Sequence, residues 1–153
     1  MKWYVASSWR NADQVRMLVK RLRELGEEVY DFTHHSYDWA DLDVPDEKTK
    51  ALVDGRDKLP DEAWINHPLV VEHFHKDMDA LNSCDALVAI FPAGNSTHIE
   101  IGFAAGRKCK LYAVAPEGLK RDLLYRVFKG VFRTQEDFIM AVLEELDVEN
   151  QGR

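Results

Sequence analysis

Apolar residues along this chain alternate between short unbroken runs and longer stretches at helical spacing. Trp3-Tyr4-Val5-Ala6 is an apolar run of strand type, and Ser7-Ser8-Trp9-Arg10-Asn11 is a polar turn after it. Val15, Leu18, Val19, Leu22 and Leu25 then recur at intervals of three and four, which predicts a helix, and Gly26 stands where that helix should end. Glu28-Val29-Tyr30-Asp31-Phe32 predicts a second strand. A strand–helix–strand unit of this kind opens a parallel α/β sheet.

The pattern breaks between Thr33 and Pro68, a segment rich in His, Asp, Trp and Pro with little periodicity. A stretch of this length is expected to be a functional loop or lid, with a short helix near Asp46 to Val53. Val70 to Leu81 predicts a helix with Val71, Phe74, Met78 and Leu81 on one face. Asp85 to Phe91 is apolar almost throughout, as a central strand buried on both faces should be. Next come a helix over Ser96 to Arg107, a strand over Lys110 to Val114, a short helix over Leu119 to Tyr125 and a short strand at Val131-Phe132. Thr134 caps the last helix, which buries Phe138, Val142 and Leu146, and Asn150 to Arg153 is a frayed tail.

The whole chain, 1–153, therefore reads as one domain with a long insertion at about 33–68. Its formal net charge of −7 argues against a nucleic-acid backbone or an anionic membrane surface as a partner. A small anionic ligand remains compatible with a local positive site. No run reaches the roughly 20 apolar residues that span a bilayer. The first residues carry no apolar signal region with a small-residue cleavage site. Cys84 and Cys109 are too few for a disulfide framework and are expected as buried free thiols. These features fit the cytoplasm.

One stretch bears the most chemistry: Phe91-Pro92-Ala93-Gly94-Asn95-Ser96-Thr97-His98-Ile99-Glu100. It sets Glu100 just inside a helix that follows a strand, at the carboxyl edge where parallel sheets bind ligands. Two readings stand on spacing. Thr97-x-x-Glu100 fits a capping box. Alternatively, Glu100 is a nucleophile, with the Ser96 and Thr97 hydroxyls on the same helix face. The turn Ser8-Trp9-Arg10 opens a helix whose free N–H groups favour an anion, with Arg10 as a bidentate phosphate contact. The competing reading is that Ser8 or Asn11 only caps the helix. The absence of glycine there excludes a Walker loop and a dinucleotide fingerprint.

Asp77 is the candidate second carboxylate. Glycosidic chemistry uses two, one to attack and one to manage the proton, but on the residues alone a surface charge is the better account of Asp77. His34-His35 and His73-x-His75 lack the spacing of a metal site, so neither a metal nor a cofactor is expected. His98 lies about 200° around an ideal helix from Glu100 and should point into the sheet or to another pocket wall. Tyr37, Trp39 and Trp64 could stack on a planar base or form a small satellite core.

Taken together, these segments resemble the nucleoside 2-deoxyribosyltransferase family and its relatives, the 2′-deoxynucleoside 5′-phosphate N-hydrolases. The resemblance spans roughly Trp3 to Val114. It is strongest at Ser96-x-x-x-Glu100-Ile101-Gly102-Phe103-Ala104. It implies a Rossmann-like (flavodoxin-like) α/β three-layer sandwich with a mostly parallel sheet of about five strands. It implies Glu100 as the nucleophile at C1′, Tyr4 beside it, and Asp77 as the group assisting the departing base. Ser8, Arg10 and Ser96 are similar to the phosphate contacts of the hydrolase branch, and Trp9 to an aromatic of some transferases. Asn95, His98 and Trp39 complete the substrate-binding candidates. Family members often assemble so that a neighbour completes the site, which implies a homo-oligomer.

The lead-in Gly94-Asn95-Ser96 departs from the transferases, which usually carry an aspartate there, and leans toward a nucleotide or an altered substrate. The expected function is cleavage or base exchange at the N-glycosidic bond of a small-molecule nucleotide or nucleoside. A TIR-like cleavage of NAD and a non-catalytic nucleotide-binding domain are the two alternatives.

Overall fold

The computed structural model describes residues 1–34 and 47–151. Five strands form one sheet: β1 (Lys2–Ala6), β2 (Glu28–Asp31), β3 (Ala86–Ile90), β4 (Lys110–Val114) and β5 (Gly130–Phe132). All pair in parallel, in the spatial order β2-β1-β3-β4-β5. This is the flavodoxin-like order, and its topological switch point lies between β1 and β3. β3 is buried along its whole length, as its uninterrupted apolar run requires of a strand covered on both faces.

The helices are α1 (Ala12–Glu24), α2 (Glu47–Asp54), α3 (Asp61–Ile65), α4 (Pro68–Ser83), α5 (Asn95–Gly106) and α6 (Gln135–Gln151). Alternation along β1 sorts them into layers. Trp3 points to one face, where its ring meets Tyr112 and the edge of Phe138 from α6, each at 5.6 Å. α1 packs on this face too, burying Val15, Leu18, Val19 and Leu22. Tyr4 points to the other face, where α4 and α5 pack side by side. Burying each of these side chains stabilises the fold by about 1.5–3 kcal/mol. Gly26 ends α1 as the sequence predicts, at φ +82°, donating to Arg23 O at 2.9 Å.

The insertion after β2 is more regular than the sequence suggests. Beyond the predicted α2 it contains a 3₁₀ turn at Arg56–Lys58 and α3. α4 starts at Pro68, two residues earlier than its periodicity shows. Proline suits the first helical position, and the His67 ring caps the helix by accepting from Leu69 N at 3.2 Å. The short helix expected over Leu119 to Tyr125 is instead a 3₁₀ turn at Leu123–Val127, because Asp122 caps its start at Leu124 N. α6 continues through Gln151, two residues into the expected tail. Thr134 Oγ1 accepts from Asp137 N at 3.1 Å, so it is the cap the sequence predicts. Cys84 is buried, but Cys109 is only half-buried. Among the described residues, no helix is long and apolar enough to cross a membrane.

Candidate active site

Two tyrosines in register build the site. Tyr4 on β1 is paired with Tyr30 on β2. Paired positions in neighbouring strands send their side chains to one face, and the two buried rings stack with centroids 5.3 Å apart and 24° between their planes. The Tyr4 hydroxyl donates to Glu100 Oε1 at 2.8 Å. The Tyr30 hydroxyl donates to Asp77 Oδ1 at 2.8 Å. A carboxylate from α5 and another from α4 are thereby held over neighbouring strands.

Both carboxyls are half-buried. Burial disfavours their charged forms. It pushes Glu100 up to about 8, helped by the negative charge of Asp77 and opposed by the Tyr4 hydrogen bond. Burial pushes Asp77 up to about 6, opposed by the bond from Tyr30. The Tyr4 phenol is raised well above its ordinary value by its own burial first, then by Glu100 and Asp77, so it stays a donor. Both shifts favour retention of a proton by the pair toward neutral pH. With one proton between them, one carboxyl can attack while the other gives up a proton.

The capping-box reading of Glu100 does not describe this helix. α5 begins at Asn95 with Gly94 as its N-cap, which puts Thr97 inside the first turn, where it is buried. The Glu100 carboxylate points to the sheet, not back to the helix start.

Asn11 joins the two loops that flank the switch point. Its Nδ2 donates to Ser7 Oγ at 2.9 Å and to Pro92 O at 2.8 Å, while Ser7 Oγ donates to Ile90 O at 2.8 Å. The turn after β1 and the loop before α5 are thus adjacent. Ser8 Oγ accepts from Arg10 N at 3.4 Å and caps the 3₁₀ turn Trp9–Asn11, leaving Arg10 exposed. Trp9 packs edge-on against Phe32 at 5.3 Å. Asn95 and Ser96 are exposed on the first turn of α5.

His98 takes the separate wall that its helical angle allows. Its Nδ1 pairs with Gly94 O at 2.8 Å and its Nε2 with the Tyr125 hydroxyl at 2.9 Å. Phe74 and Val71, expected on one helix face with Met78 and Leu81, turn outward, Phe74 at 56% exposure, whereas Leu81 is buried. Trp64 is held by Arg56, whose guanidinium lies 4.6 Å from its ring, so it belongs to a satellite cluster within the insertion. Trp39, Tyr37 and His35 lie outside the described residues.

Tyr30 is missing from the sequence-derived candidates, although the equal placement of Tyr4 and Tyr30 within their strands carried the signal. A second omission is the buried turn closing β2. Asp31 Oδ1 accepts from Thr33 N at 2.8 Å and from Thr33 Oγ1 at 2.7 Å, and Asp31 Oδ2 pairs with His34 Nδ1 at 2.8 Å. His34 is thus committed to a carboxylate. Among the described residues no cluster of three His, Cys, Asp or Glu could hold a metal.

The fold is a Rossmann-like, flavodoxin-ordered α/β sandwich. It is shared with the 2-deoxyribosyltransferase of Bacillus psychrosaccharolyticus, at a TM-score of 0.63 and 17% identity over 91% of this chain and 90% of that one. It is shared too with the CMP N-glycosidase of Clostridium botulinum, at a TM-score of 0.52 and 18% identity over 93% and 98%. No protein-family model and no curated protein matches the sequence.

Proposed function

We propose that this protein is an enzyme that cleaves, or exchanges the base at, the N-glycosidic bond of a (deoxy)nucleotide or nucleoside. One observation carries the reading: two carboxyls, from α5 and α4, each held by one of two stacked tyrosines on β1 and β2. Structural neighbours named for cleavage of CMP and for 2-deoxyribosyl transfer support it.

Glu100 attacks C1′ of the sugar as the bond to the base nitrogen breaks, forming a glycosyl ester on its carboxylate. Asp77 gives the departing base its proton, a role suited to a carboxyl pushed up to about 6. Because Glu100 is pushed higher still, a proton retained by the pair favours Glu100. Attack draws on the form in which that proton sits on Asp77. Tyr4 orients the attacking carboxylate. Water then releases the sugar, or a second base takes it. Ser8, Arg10 and Ser96 bind the 5′ end, and Trp9, Asn95, His98 and Trp39 complete the substrate contacts. The protein acts in the cytoplasm as a homo-oligomer.

The test is a panel of nucleosides, 5′-monophosphates and NAD, with released base separated by chromatography. The parent should release base from a nucleotide or nucleoside. Glu100→Gln should lose at least about 10³-fold of that rate with its circular dichroism unchanged. Undiminished release by the variant sinks the assignment. Nicotinamide from NAD alone indicates the TIR-like chemistry, and tight nucleotide binding with no release over hours indicates a sensor.

A further inference from the structure

The two cysteines meet at the amino edge of the sheet, opposite the carboxylate site. Cys84 is the C-cap of α4, just before β3, and Cys109 stands just before β4. Their sulfurs are 3.9 Å apart. Backbone bonds fix both sides of the contact, Cys84 N to Ala80 O at 2.9 Å, Cys109 N to Ala104 O at 3.1 Å, and Lys110 N to Asp85 O at 3.0 Å. Each thiol donates to a main-chain carbonyl, Cys84 to Leu81 O and Cys109 to Cys84 O, both at 3.4 Å. The two sulfurs are thus already neighbours, and a bond of about 2.05 Å requires the side chains to leave these carbonyls and approach further.

We propose that Cys84 and Cys109 form a reversible intrachain disulfide when the protein meets a peroxide, making this pair a redox modification site. The two thiols differ in access. Cys109 is half-buried and Cys84 is buried. Arg107 Nη1 donates to Cys109 Sγ at 3.6 Å and to Cys84 O at 3.3 Å, which sets a cation beside the sulfur on which an oxidant arrives. Burial, followed by the neighbouring Cys109, pushes the Cys84 thiol up to about 12, so Cys84 is the second partner to react.

The steps balance. Cys109 sulfur attacks one peroxide oxygen, the O–O bond breaks, and a sulfenic acid and one water result. Cys84 sulfur then attacks the Cys109 sulfur, the S–O bond breaks, and a second water leaves with the proton of Cys84. Two thiols are oxidised by two electrons, and one peroxide is reduced to two waters. A thiol reductant reverses the bond. The closed loop contains β3 and α5 and so restrains the unfolded chain across that whole segment.

The experiment treats the native full-length protein with hydrogen peroxide and reads intact mass, non-reducing peptide mapping and thermal unfolding. The expected product is a monomer lighter by about 2 Da, with one cross-linked peptide joining the two cysteines and a Tm raised by about 5 °C. In Cys84→Ser, Cys109 should gain oxygen instead of cross-linking. In Cys109→Ser, Cys84 should remain a free thiol in the folded protein. Oxygen added at Cys109 of the parent with Cys84 still free, or a disulfide joining two chains, overturns the proposal.

Discussion

Tyr4 and Tyr30, register partners on adjacent strands, stack at 5.3 Å and hand their hydroxyls to different carboxylates, Glu100 and Asp77. The arrangement makes the two halves of the site separable by single-atom changes. Tyr4→Phe keeps the ring and the stack but frees Glu100 Oε1. The lost bond had opposed the upward push on Glu100, so that carboxyl should rise above about 8 and lose orientation. Base release should fall about 10- to 100-fold. A Tyr4→Phe variant with parental kcat would remove Tyr4 from the mechanism.

The same proton inventory sets the pH dependence. On the proposed mechanism, protonation of both carboxyls below about 6 should stop attack by Glu100. Ionisation of both above about 8 should leave no acid for the departing base. The kcat/KM profile should therefore be bell-shaped, with its limbs near those values. A phosphate on the substrate also titrates near 6, so the acid limb needs its own control. Tyr30→Phe provides it. That hydroxyl lowers Asp77, and its loss should move the acid limb upward by about half a pH unit or more while the alkaline limb stays. An acid limb that does not move in Tyr30→Phe assigns it to a group other than Asp77.

Much of this was legible in the chain, for identifiable reasons. Strands β1, β3 and β4 are short, mainly apolar runs, α1 carries a clean helical stripe, and Gly26 marks its end, so local pattern and tertiary fold agree. Glu100 was legible because a polar loop after a central strand leaves few positions for a carboxylate. Its role against a capping box was not, since spacing is the same for both and only the direction of the side chain separates them. Tyr30 was hidden for a different reason. A tyrosine in a strand reads as core, and its partner Asp77 is 47 residues away. The insertion was opaque because α3 has a single turn, too short for periodicity to register.

Arg10 is exposed on the turn that Asn11 ties to the loop before α5. If it binds a 5′-phosphate, its contribution is confined to substrates that carry one. Arg10→Ala should raise KM for a 5′-monophosphate about 10- to 100-fold and leave the matching nucleoside within about twofold. Equal losses on both substrates would mean that Arg10 supports the turn rather than the phosphate.

Two helices end in the same motif with different residues at its left-handed position. After α1, Gly26 N donates to Arg23 O at 2.9 Å and Glu27 N to Leu22 O at 3.2 Å, with φ +82° at Gly26. After α5, Lys108 N donates to Ala105 O at 3.0 Å and Cys109 N to Ala104 O at 3.1 Å, with φ +62° at Lys108. Both are Schellman terminations, for which glycine avoids the Cβ clash. The clash costs about 1–2 kcal/mol in a side-chain-bearing residue, part of which glycine gives back through the freedom of its unfolded chain. Lys108→Gly should therefore stabilise the protein by about 0.5–1 kcal/mol, and Gly26→Ala should destabilise it by a similar amount. Paired denaturant titrations measure both. A Lys108→Gly variant less stable than the parent would show that the lysine side chain contributes more at this turn than its backbone strain costs.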